Sequence, residues 1–146
     1  MMNMHTVNTQ LHTKTAMFID DDQATNVLHC IGAQNVRLAD SISTHTSATL
    51  ALEELKYTPE SEFPSFLFVD VSMPGVNGHE FMDGVKKLKG YDPKQTCVVF
   101  VTGSLDIRDM VMADENDVHC YKFKPLTQND FLELRGCNDC AARNCG

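Results

Sequence analysis

The chain has no tryptophan among its 146 residues, few basic side chains, and no apolar run near the length of a membrane span. With 12 Lys and Arg against 20 Asp and Glu the net charge is −8, which opposes binding to a phosphate backbone. Nucleic acid is therefore not an expected direct partner. The longest apolar runs, such as CVVFV at 97–101, fall far short of the roughly 20 residues that a bilayer-crossing helix needs. The opening MMNMHTVNTQLHTK lacks the apolar stretch of a secretory signal, so no membrane contact is expected and a cytoplasmic location is. An internal repeat is also lacking.

What is present suits one compact domain with a core of its own. Of six cysteines, Cys30, Cys97 and Cys120 lie in apolar or amphipathic segments and read as core thiols. Cys137, Cys140 and Cys145 crowd into CNDCAARNC, where three close ligands fall one short of a closed zinc site. A frayed terminus with exposed thiols is expected there rather than a metal or redox centre.

Extended and helical patterns alternate along the chain. AMFI at 16–19 reads as a buried strand running into Asp20, Asp21 and Asp22. Ala24, Val27, Leu28 and Ile31 then fall at helical spacing, a face that Asp22 can cap and Gly32 can end. NVRLAD alternates as an edge strand does. Helical stripes recur at Ala48, Ala51, Leu52 and Leu55, and at Phe81, Met82, Val85 and Leu88. FLFV at 66–69 and CVVFV are the most apolar runs and are expected as central strands buried on both faces. SLDIRDMVMADEN reads as a weaker acidic helix, and VHCYKF at 118–123 as the last strand, with Val118, Cys120 and Tyr121 inward. Thr127 and Asp130 cap a short final helix whose apolar positions Phe131 and Leu134 stop at Gly136, with Leu126 stapling against Phe131. Five strand-helix units imply an α/β fold, a doubly wound five-stranded parallel sheet with right-handed crossovers.

In such a sheet, ligands bind at the carboxyl ends of the strands. Those ends carry Asp20 and Asp21, Asp70, Thr102 and Lys124. Each alone has a bland reading as a turn former or a cap, and Asp22 is one. Their joint placement carries the weight. Three carboxylates at one edge repel unless a cation sits among them, and hard oxygen ligands of this kind suit Mg²⁺. A hydroxyl and an ammonium beside that ion equip the site for phosphoryl transfer, with a carboxylate as nucleophile.

FIDDDQATN, FVDVSMPGVNG, VFVTGS and YKFKPLT, in this order and spacing, resemble the receiver domains of two-component response regulators over about residues 15–135. The resemblance implies a flavodoxin-like strand order 2-1-3-4-5, which periodicity alone does not supply. It divides the chain into a flexible N-terminal tail at 1–14, a receiver domain at 15–135 and the cysteine-containing tail at 136–146. It implies that Asp70 is phosphorylated, that Asp21 binds Mg²⁺, and that Asp20 ligates the ion or holds its water shell. Ser72 gives the ion its backbone carbonyl, Lys124 pairs with phosphoryl oxygens, Thr102 donates its hydroxyl to one, and Tyr121 follows Thr102 as the switch aromatic. Gly103 leaves the site open to water and donors, and the Lys124-Pro125 bond is expected to be cis.

The partners so implied are a sensor histidine kinase or a His-phosphotransfer protein, and a downstream protein target. With an acidic fourth helix and a short fifth, a monomer or weak dimer is expected. No output domain is expected to follow, so the protein is a stand-alone switch rather than an enzyme with an external substrate. A phosphorelay intermediate and an unphosphorylated protein-binding receiver are the alternatives. A phosphatase of the haloacid dehalogenase type uses similar groups, but there the nucleophile precedes the acidic pair, and here Asp20 and Asp21 precede Asp70.

Overall fold

The computed structural model describes residues 13–103 and 118–136. Five parallel strands, β1 (Thr15–Ile19), β2 (Ser41–His45), β3 (Phe66–Asp70), β4 (Cys97–Thr102) and β5 (Cys120–Phe123), form one sheet in the order β2-β1-β3-β4-β5. Among the described residues the helices are α1 (Gln23–Asn35), α2 (Ala48–Lys56), α3 (Gly78–Val85) and α4 (Gln128–Arg135), with a 3-10 turn at Glu60–Glu62. The expected doubly wound α/β architecture and strand order are those observed. The N-terminal tail, the acidic helix at 104–116 and the cysteine tail lie outside the described residues.

Strand alternation builds two cores, one on each face of the sheet. Ala16, Phe18, Phe66, Phe68, Val99 and Val101 face α1 and α4, and pack with Ala33, Phe131 and Leu134. Met17, Ile19, Leu67, Val69, Val98 and Phe100 face α2 and α3, and pack with Ala51, Leu55, Phe81 and Val85. The continuous runs FLFV and CVVFV are thus central strands covered on both sides, as their composition required. Leu88 lies beyond the end of α3 yet still packs on the second core. The last strand begins at Cys120, which is buried, while Val118, two residues before it, and Tyr121 pack partly buried against the second core. The expected capping box of α4 is present: Asp130 N–H donates to Thr127 Oγ1, and Thr127 N–H donates to Asp130 Oδ2.

Two expectations are corrected. Asp22 does cap α1, accepting from Ala24 N–H at 3.1 Å, but the helix turns the other face inward. Its buried residues are Asn26, His29 and Ala33, while Val27, Leu28 and Ile31 are about half exposed. Both sets are spaced for a helix. Polar side chains won the inner face because the ends of β1 and β2 and the loop after β5 offer them hydrogen-bond partners there. Gly32 does not end this helix either. A Cβ at Gly32 would lie 2.7 Å from Phe131 Cε2, so the missing side chain lets α1 and α4 approach.

The second correction concerns the edge strand, which is SISTH at 41–45 rather than NVRLAD. Asn35 is the last residue of α1, Val36 is its C-cap, and Arg37 and Leu38 close the ending. Leu38 N–H donates to Ala33 O and Arg37 N–H to Gln34 O, a Schellman ending with Arg37 left-handed at φ 55°. Val36 and Leu38 flank that turn and both enter the core, which reproduces the in-out alternation of a strand.

Candidate functional site

The carboxyl ends of β1, β3 and β4 and the loop after β5 converge on one acidic pocket. Asp70 ends β3, and Asp20 and Asp21 directly follow β1. One carboxylate oxygen from each of Asp20, Asp21 and Asp70 lies within 4.8 Å of the other two. Asp20 and Asp70 are buried, and Asp21 is exposed.

Each buried carboxylate is held from two sides. One oxygen accepts a backbone N–H: Asp22 N–H to Asp20 Oδ1 at 2.9 Å, and Ser72 N–H to Asp70 Oδ1 at 3.0 Å. The other oxygen meets the ammonium of Lys124, at 2.7 Å from Asp20 and 3.2 Å from Asp70. Lys124 therefore bridges the two strand ends.

These surroundings set the protonation of the groups. Burial raises the Asp70 carboxyl from 3.8 to about 6; the Ser72 amide opposes this, the Asp20 charge adds to it, and Lys124 opposes it. Burial pushes the Lys124 ammonium down, but its hydrogen bond to Asp20 and the charges of Asp70 and Asp20 outweigh that and leave it raised. A second cation would relieve the crowding of three carboxylates that one ammonium balances incompletely. The donor set, carboxylate oxygens on two strand ends with one carboxylate open to solvent, fits a hard divalent ion such as Mg²⁺.

Thr102 is buried at the end of β4, and its carbonyl accepts the Lys124 N–H at 2.7 Å. Ser72 reaches the pocket through its backbone amide. Tyr121 lies on β5, three residues before Lys124, partly buried against the second core with its ring edge-on to Phe123 at 5.7 Å. After Asp70, Met73-Pro74-Gly75 turns the chain, with Gly75 at φ 82°, and α3 returns against the strand through Gly78 N–H to Val71 O. The Lys124-Pro125 bond is cis.

Two residues of the site were not singled out in the sequence. Asn26 is fully buried, and its Nδ2 donates to the carbonyls of Asp20 at 3.0 Å and His45 at 3.1 Å, clamping the end of β1 to that of β2. His29 is also buried, and its Nε2 accepts the Leu126 N–H at 3.1 Å. The signal was there in the spacing: Asp22, Asn26, His29 and Ala33 lie along one helical face.

A doubly wound sheet with an acidic cluster and a lysine at its carboxyl edge defines a class of flavodoxin-like α/β domains with an acidic pocket at the strand ends. The comparisons narrow it further. The sequence model of the family described as the response regulator receiver domain matches residues 17–134. A two-component response regulator from Cytophaga hutchinsonii is similar at 31% identity and TM-score 0.73, covering 84% of this chain and 93% of that one. A CheY-like receiver domain protein from Methanospirillum hungatei superposes at 20% identity and TM-score 0.67, covering 83% of this chain and 89% of that one. The phosphorylated cyanobacterial phytochrome response regulator RcpA does so at 20% identity and TM-score 0.69, covering 85% and 90%. No curated protein matches. The chain belongs to the response regulator receiver family of two-component systems, whose members act as signalling switches.

Proposed function

We propose that Asp70 accepts a phosphoryl group from the histidine of a sensor kinase or a His-phosphotransfer protein, and that the acyl phosphate switches the domain toward a downstream protein. The observation that carries this reading is the pocket itself: three carboxylates within 4.8 Å, with Lys124 bridging the two buried ones.

In the ground state Lys124 occupies an oxygen of both Asp70 and Asp20. Asp70 Oδ2 attacks phosphorus in line, the P–N bond to the donor imidazole breaks, and the imidazole leaves with the bonding pair. Lys124 then pairs with a phosphoryl oxygen, and the Thr102 hydroxyl donates to another, with Tyr121 following it. Asp20, Asp21, Asp70 and the Ser72 carbonyl would hold Mg²⁺, which supplies neutralisation of phosphoryl charge when bound. Ser72 N–H keeps Asp70 oriented, and hydrolysis of the acyl phosphate resets the switch. The only chemistry catalysed is the phosphorylation of Asp70 and its dephosphorylation by water.

The stripe Val27, Leu28 and Ile31 lies on α1, beginning six residues after Asp21, and is about half exposed. An apolar face of this size beside a reactive pocket fits the docking of the donor protein. A monomer or weak dimer in the cytoplasm, in touch with kinase and target, completes the reading. Among the described residues no helix is long and apolar enough to cross a membrane.

The test is incubation with Mg²⁺ and acetyl phosphate, read by intact mass, or with beryllofluoride, read by NMR. The wild type gains an adduct and Asp70→Ala does not. An unreactive wild type, or equal labelling of Asp70→Ala, overturns the proposal.

A further inference from the structure

We propose that His29 is a positioning residue for Lys124, acting from beneath the pocket through the backbone of the loop after β5. This rests on the phosphoryl-transfer reading only for its consequence in rate, since the anchor itself is a matter of structure.

Lys124 reaches two carboxylates from a three-residue segment, Lys124-Pro125-Leu126, that Thr127 then caps into α4. The proline offers no N–H, so the segment has two backbone donors. Lys124 N–H goes to Thr102 O at 2.7 Å, and Leu126 N–H goes to His29 Nε2 at 3.1 Å. One anchor lies on the sheet and the other on α1, 97 residues away in sequence. With a donor held at each end, the lysine stem between them has a fixed origin.

The imidazole is suited to this. It is 3% exposed, and its ring lies 6.0 Å from that of Phe18. It lines the same small cavity as Asp20, Asn26, Phe68 and Asp70. Burial lowers its affinity for a proton, with Asp20 acting against that and Lys124 with it, so the ring is neutral near pH 7. Because Nε2 accepts, the neutral ring carries its proton on Nδ1. A leucine would fill the volume but leave the buried Leu126 N–H without an acceptor. A glutamine places an oxygen near the position of Nε2.

The experiment compares His29→Leu and His29→Gln with the wild-type chain, each checked by thermal melting. Two quantities are read: hydrogen exchange of the Leu126 amide, and the acetyl phosphate reaction split into maximal rate and Mg²⁺ affinity. His29→Leu should speed Leu126 exchange and lower the maximal rate roughly fivefold, the worth of about one hydrogen bond, without changing Mg²⁺ affinity. His29→Gln should recover most of both. The proposal is overturned if His29→Leu matches the wild type in both, or if a folded His29→Gln is as impaired as the leucine variant. If the wild type does not react with acetyl phosphate, the phosphoryl reading has failed, and Leu126 exchange in the two variants still decides the anchor.

Discussion

The Lys124 ammonium lies closer to Asp20, at 2.7 Å, than to the Asp70 carboxylate it also contacts, at 3.2 Å. The lysine is thus anchored chiefly on Asp20, and on the proposed mechanism the longer contact, to Asp70, is the one that phosphoryl transfer would exchange. Removing it leaves two buried carboxylates with only backbone donors and the solvent. Lys124→Met should cost about 2 kcal/mol, below the cost of breaking a fully buried pair because the lysine is partly exposed. Denaturant unfolding without metal measures this, and Mg²⁺ should restore much of the loss. A variant as stable as the wild type would show that the bridge does not hold the pocket together.

The raised carboxyl of Asp70 makes a prediction of definite sign. Its pKa is about 6 in the fold against 3.8 as the ordinary value, so between those pH values the folded chain holds more protons than the unfolded one. Stability from this group is greatest below that window and is lost as pH rises through it, by roughly 3 kcal/mol at most. Asp70→Asn should therefore melt about 5 °C above the metal-free wild type at pH 7, with the gap closing toward pH 4. Added Mg²⁺ should raise the melting temperature of the wild type far more than that of the variant. Equal melting curves at pH 7 would contradict this.

Close packing of α1 on α4 makes Gly32 hard to replace. An alanine there gains helix propensity of about 1 kcal/mol but sets a methyl against Phe131, which is itself wedged edge-on to Phe18 and Phe68. Overpacking of this kind costs about 1–3 kcal/mol, so Gly32→Ala should be destabilising on balance. Chemical denaturation decides it, and a gain in stability would mean that the Phe131 ring yields easily.

Arg37 points the other way. Its left-handed backbone at φ 55° costs a residue with a Cβ about 1 kcal/mol relative to glycine. Its amide bond to Gln34 O is retained by any non-proline residue. Arg37→Gly should stabilise the fold by up to about 1 kcal/mol, or leave it unchanged if glycine loosens the unfolded chain by as much. A clear loss of stability would show that the arginine side chain matters to this turn.

What was legible in the sequence were the elements whose chemistry has one solution. FLFV and CVVFV can be little other than strands buried on both faces, and the charged groups after the strands share one sheet edge in any doubly wound fold. What misled were patterns with two solutions. Val36 and Leu38 alternate with polar neighbours both in a strand and across a left-handed helix ending. Val27, Leu28 and Ile31 have core spacing on a helix whose core face carries Asn26 and His29 instead. Burial of those two polar residues depends on acceptors and donors supplied by β2 and by the loop after β5, which no window of local sequence contains.

The edge strand β2 has none of its five residues fully buried, and it is built from Ser, Ile, Thr and His. Its one neighbour is β1, and its last carbonyl, that of His45, receives both the Asp20 N–H and the Asn26 amide. Local opening of a protein starts where little apolar surface is lost, so the amides of Ser41–His45 should exchange with solvent before those of β3 and β4. Such a partial unzipping would release the backbone of Asp20 while both cores stay closed. The acidic pocket thus sits on a seam between a rigid interior and a margin that breathes, and ions that gather its carboxylates should slow that breathing at a distance from any atom they touch.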